Sequence, residues 1–285
     1  MLDPQFLQLL GKLGIEMQGR IRGSRRGERR SARRGAGGEF LDVRPYTIGD
    51  DLRHLDWHLY ARLDTLLVRL YEANEEHTIH ILLDTSASMG CGKGDYTTKL
   101  AAALAYLALA SSDTVGIYTV KSGIDARVGP LRGKGSTHRA FDFLSRARFE
   151  GETDLLSSVR AFMATRRRGT VVLVSDMMTQ DRIEALRVLA GARMRVVVLH
   201  TLSGDERDPP LGGELTLVDS ESDQRLVVHI NRGLRDAYLS RLEAMTRELK
   251  ESCRAYGIAF VEIDCRTPLQ TLVMGDLRRH GLVAG

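Results

Sequence analysis

The chain has 285 residues, 43% hydrophobic and 27% charged, which is ordinary for a globular protein with one large domain or two small ones. No apolar run approaches the ~20 residues of a membrane helix, and no basic-then-apolar leader opens the chain, so a cytosolic protein is expected. Its net charge of +4 is uneven. Residues 20–34 hold eight arginines against one acid, a net +7, which leaves −3 for the rest.

Taken in order, residues 1–19 read as a short helix with Phe6, Leu9, Leu10 and Leu13 at helical spacing. The following arm interleaves arginine with glycine and serine and has little apolar surface to bury. It reads as a solvated arm, or as a contact for an acidic partner or phosphates through Arg25, Arg26, Arg29, Arg30, Arg33 and Arg34. Aromatic residues are absent from it, so base stacking has no support. Turns and short apolar pieces fill residues 40–72, with a strand over 66–71. Asp50, Asp51, Arg53, Asp56 and Trp57 read as a folded corner, in which Arg53 pairs with an acid and the single tryptophan buries its ring.

Strand and helix signals then alternate. Strands are expected over 78–83, 115–120, 170–174 and 195–199, with an antiparallel edge piece near 126–128. Helices are expected near 99–111, 137–147, 155–165 and 182–190. Segments 215–218 and 226–229 read as a late hairpin. A long helix over 234–256, a strand over 258–263 and a closing helix over 268–279 complete the pattern, with Thr267 as its cap. This order predicts an α/β fold, a mostly parallel sheet with helices on both faces and a smaller, partly β amino-terminal region. The boundary is expected between residues 1–75 and 76–285.

The strand over 78–83 runs into Asp84-Thr85-Ser86-Ala87-Ser88. A carboxylate and two hydroxyls thus stand at the carboxyl end of a buried strand, where open α/β sheets bind ligands. Oxygen donors of this kind suit a hard cation such as Mg²⁺, with Mn²⁺ and Ca²⁺ equally compatible. Thr153 follows a glycine turn, and Asp176 ends a second apolar strand. Each residue also has a plainer use: the aspartates and Thr153 as helix caps, the serines as turn residues.

The order Asp-x-Ser-x-Ser, Thr, Asp resembles the von Willebrand factor A domain. The resemblance implies that Asp84, Ser86, Ser88, Thr153 and Asp176 are the metal-ion-dependent adhesion site. Upstream, Gly37-Gly38-Glu39-Phe40, Val43-Arg44-Pro45-Tyr46, Gly49-Asp50-Asp51-Leu52-Arg53, Leu55-Asp56-Trp57 and Ala61-Arg62 resemble the signature of the bacterial domain of unknown function 58 family. Membership implies a von Willebrand A-like domain and a MoxR-type AAA+ ATPase as candidate partner, and so a metal-dependent adaptor in complex assembly or maturation.

Catalysis finds less support. Haloacid dehalogenase-like phosphatases carry a second Asp where this chain has Ser86, which weakens a Mg²⁺-dependent phosphatase reading. Gly90, Gly92 and Gly94 around Lys93 do not form a phosphate loop, and no G-x-S-x-G elbow occurs. His54, His58 and His77 lack metal-binding spacing, and nothing adjacent to Cys91 activates its thiol. A protein-binding role is expected, with nucleic-acid or polyphosphate binding by the arm as the alternative.

Overall fold

The computed structural model describes residues 2–11, 13, 40–71, 77–165, 167–192, 194–209, 214–218, 225–229 and 231–283. Two units emerge, Met1–Arg20 with His77–Gly285, and Ile21–Glu76. The amino-terminal helix α1 (Pro4–Leu10) therefore belongs to the larger unit and not to the 1–75 region expected from sequence. Asp3 caps it by accepting from the Gln5 amide, and Leu10 is fully buried in the main core.

In the smaller unit, β1 (Phe40–Pro45) pairs antiparallel with β2 (Leu67–Tyr71), and α2 (Trp57–Leu63) lies between them in the chain. Its acids are structural. Asp56 caps α2 by accepting from the His58 and Leu59 amides at 3.0 and 3.1 Å, and its other oxygen accepts from Arg69 Nε at 2.7 Å. Arg44 grips Asp50 through two 2.7 Å bonds, which hold the Asp50 carboxyl well below its ordinary pKa. Arg53 does pair with Asp51, at 3.3 Å. Trp57 departs from expectation. The residue is 61% exposed at the start of α2, with its ring edge-on to that of Tyr60. As the only tryptophan it is a clean reporter, and its fluorescence in the isolated protein is expected to be strongly quenched by acrylamide. Protection from the quencher would contradict an open ring.

The larger unit is built on six strands. β3 (Thr78–Asp84) leads through α3 (Ala87–Gly90) and α4 (Gly94–Ala110) to β4 (Thr114–Val120), which turns back into β5 (Ile124–Arg132). Next come α5 (Thr137–Ser145), α6 (Leu155–Ala164), β6 (Thr170–Ser175), α7 (Arg182–Ala190) and β7 (Arg195–Leu202). A short α8 (Gly204–Arg207) precedes the antiparallel hairpin of β8 (Glu214–Val218) and β9 (Arg225–His229). The long α9 (Arg232–Ala255) and β10 (Ala259–Asp264) follow, and helical turns over Leu269–Thr271 and Leu272–Leu277 end the fold. Pro268, not Thr267, takes the cap position of that last segment.

Strand order is β10-β7-β6-β3-β4-β5, parallel except for the edge strand β5. The α/β expectation is met. Burial on both faces explains why β3 reads as a continuous apolar run. Ile79, Ile81 and Leu83 enter one core layer with α4, α5 and the carboxyl-terminal turns, while Leu82 enters the other with α6, α7 and α9. The alanine-rich α4 buries Leu100, Leu104, Leu107 and the alanines between them, as its composition suggests. Among the described residues, no helix is long and apolar enough to cross a membrane.

Candidate functional site

Strand order reverses direction at β3 and β6, the first strand of the sheet and its neighbour across the fold. Crevices at the carboxyl ends of such a switch point are where open α/β sheets hold ligands. Asp84 closes β3 and Asp176 stands one residue beyond β6, and both are buried, at 1% and 2% exposure.

Asp84 is fixed from two sides. Its Oδ1 accepts from the Ser86 amide at 3.0 Å, and its Oδ2 accepts from Ser175 Oγ at 2.7 Å, a bond that joins the ends of β3 and β6. Ser175 Oγ accepts in turn from the Met177 amide at 2.9 Å. Met177 has φ 56°, an unusual left-handed conformation for this residue type, directly after Asp176. Such backbone outliers cluster at functional sites, where surrounding structure holds them.

Ser86 and Ser88 present their hydroxyls to one another at 3.1 Å at the start of α3. The loop carrying Thr153 is stitched to the same turn. The Glu150 amide donates to Thr85 O and the Ala87 amide to Gly151 O, each at 3.0 Å. Gly151 has φ +81°, which a side chain rarely adopts, and Asp154 then caps α6 by accepting from the Ser157 amide at 2.7 Å. The five residues expected at the site thus fall at strand ends and the segments that follow or precede them: Asp84 closes β3, Ser86 and Ser88 open α3, Thr153 precedes α6 and Asp176 follows β6. By contrast, Arg25, Arg26, Arg29, Arg30, Arg33 and Arg34 lie outside the described residues.

Three partners escape a reading of the sequence alone. Ser175 is the first. The second and third are Lys93, fully buried ahead of α4, and Glu206 on α8. Lys93 Nζ donates to Asp176 Oδ2 at 2.7 Å and to Glu206 Oε1 at 2.5 Å. Burial opposes its charge, but the two carboxylates hold its pKa above the ordinary value. The Ser203-x-x-Glu206 pattern is a legible capping box, with Glu206 Oε2 accepting from the Ser203 amide at 2.6 Å. Its second role, facing Lys93, has no local signal.

Burial, and then the negative charge of Asp176, push the Asp84 carboxyl up to about 6. His200, paired in register with Ser175, is held neutral by burial at about 4 against the pull of Glu262 and Asp176. Asp84 forms no ion pair among the described residues, whereas Asp176 has Lys93. No group of three His, Cys, Asp or Glu side chains with metal-binding geometry occurs among the described residues. The residues expected here offer instead two carboxylates and three hydroxyls, all hard oxygens, and Asp176 is near enough for its charge to act on buried Asp84. That chemistry suits a hard divalent ion that keeps some of its water. Asp176 Oδ1 accepts from the amide of Met178, which lines a groove of about 620 Å³ with Arg182, Tyr238, Leu242 and Met245.

Comparison with known proteins agrees with the upstream block. A family model described as "Protein of unknown function DUF58" matches residues 42–248. The uncharacterized protein Rv1480 of Mycobacterium tuberculosis is 26% identical over 297 residues, covering 99% of this chain and 93% of its own length. An uncharacterized protein of Mycobacterium bovis, Mb1516, matches to the same extent. Among solved structures, the conserved hypothetical protein BatB from Bacteroides thetaiotaomicron aligns with a TM-score of 0.45 and 16% identity, over 72% of this chain and 98% of that one. An aerotolerance-related membrane protein from Bacteroides fragilis aligns with a TM-score of 0.41 and 14% identity, over 71% and 99%.

Proposed function

The chain belongs to the DUF58 family, and from that premise we propose that it is a metal-dependent protein-binding module of the von Willebrand A type, without catalytic activity of its own. The observation that carries the reading is the pair of buried carboxylates, Asp84 and Asp176, at the switch point of the sheet, with the hydroxyls of Ser86 and Ser88 beside Asp84. Asp84, Ser86, Ser88, Thr153 and Asp176 would hold Mg²⁺, or Mn²⁺ or Ca²⁺. The ion would supply positive charge in a poorly hydrated crevice, to which an Asp or Glu of a partner is drawn.

This chain's residues do the rest. Ser175 and the Ser86 amide orient Asp84, and the stitched loops hold Ser86 and Thr153 at the same edge. Exposed Met178 and Tyr238 offer apolar contact for side chains flanking the partner's acid. A MoxR-type AAA+ ATPase is the partner to test first, a choice that comes from family resemblance. Capture of the purified ATPase on immobilised full chain should be strong in Mg²⁺ and lost in EDTA. Ser86→Ala with Ser88→Ala should weaken it as well. Equal capture in EDTA, or none in either buffer, would remove the ATPase and its carboxylate docking from consideration.

A further inference from the structure

Lys93 is fully buried, and an ammonium out of water is costly unless it is paired and hydrogen-bonded. Here two carboxylates meet it, Asp176 at 2.7 Å and Glu206 at 2.5 Å. Its position is not incidental. The next residue, Gly94, packs so closely on the Phe149 ring that an added Cβ would stand 3.0 Å from it, which pins the loop that delivers Lys93. Glu206 is equally fixed, since its other oxygen closes the capping box of α8. Two carboxylates, Asp176 and Glu206, therefore share one ammonium, while Asp84 has no ion pair among the described residues.

We propose that Lys93 is a built-in counter-cation that competes with a divalent ion for Asp176, so that Lys93 and Glu206 together set how tightly this site takes a metal. The proposal rests on the metal-dependent reading above and deepens it. An ion that uses Asp176 must share that carboxylate with an ammonium already on it. The positive charge of Lys93 opposes the ion, and Glu206 relieves the opposition by drawing the ammonium toward α8.

The test is titration of the purified full chain with Mn²⁺ alone, followed by calorimetry and by the shift in melting temperature. Lys93→Met is expected to bind Mn²⁺ about 10-fold more tightly than the parent, the size of effect usual for changing a group that touches a metal ligand. It should also gain more melting temperature from the ion. Glu206→Gln, which leaves Lys93 to Asp176 alone, is expected to bind more weakly than the parent. Should Lys93→Met fail to fold, the double variant with Glu206→Gln removes the second unpaired acid, and it should bind more tightly than Glu206→Gln by itself. A parent that binds Mn²⁺ while Lys93→Met binds equally or less overturns the role of Lys93 and leaves the metal-dependent reading standing. Absence of Mn²⁺ binding in every form overturns both.

Discussion

Replacing Asp84 by Asn is expected to lower divalent-metal affinity by more than about 100-fold while the fold is kept, a larger loss than altering a group behind a ligand produces. The amide is isosteric. Its oxygen can still accept from the Ser86 amide, and Ser175 Oγ can reverse its role and accept from the new NH₂. What disappears is one of the two negative charges at the switch point. The metal-free variant should be as stable as the parent or more so. Burial raises the folded pKa of Asp84 to about 6, above its unfolded value, so the folded state disfavours its charge. The folded protein binds the extra proton, and stability is lost as pH rises through that window, a loss that a neutral amide does not suffer. Melting curves with and without Mn²⁺ at neutral pH decide the matter. A metal-induced shift in Asp84→Asn equal to the parent's would exclude Asp84 as a ligand.

Phe162→Ala should cost about 3–5 kcal/mol of stability, the range for emptying a buried aromatic site. Phe162 is fully buried on α6, with its ring 5.3 Å from that of His80 and 5.2 Å from that of Tyr118. His80 is on β3 four residues before Asp84, and its Nε2 lies 3.1 Å from Arg168 O. This aromatic cluster fills the layer between α6 and strands β3 and β4, the first of which ends at Asp84. Urea denaturation followed by circular dichroism measures the effect. A loss under about 1 kcal/mol, the ordinary size for a point mutation, would mean that the layer collapses around the vacancy.

Local pattern accounts for what could be read early. Apolar runs of strand length in residues 78–84, 170–175 and 195–202 carry their own signature, because a strand covered on both faces needs apolar residues at every position. Periodic segments between them dictate helices, and the alternation dictates a parallel sheet. The edge strand was only partly legible. β5 spans Ile124–Arg132, but most of its side chains are exposed, so the hydrophobic signal along it was weak and the expected piece covered only 126–128. Helix α2 was missed because Asp56, which caps it, is also an ordinary turn residue.

Sequence by itself determined the alternation of strands and helices in the main sheet, the acidic end of β3, the second acid after β6 and the family block upstream, since each depends on residues adjacent in the chain. Only the tertiary structure decided that Trp57 stays exposed, that Ser175 ties Asp84 to β6, and that Lys93 is buried between two acids. Lys93 meets partners 83 and 113 residues away, so nothing beside it in the chain reports its burial. The physical reason is that an ionised group is stable inside a protein only where opposite charge and hydrogen bonds surround it, and folding of distant segments alone supplies those neighbours.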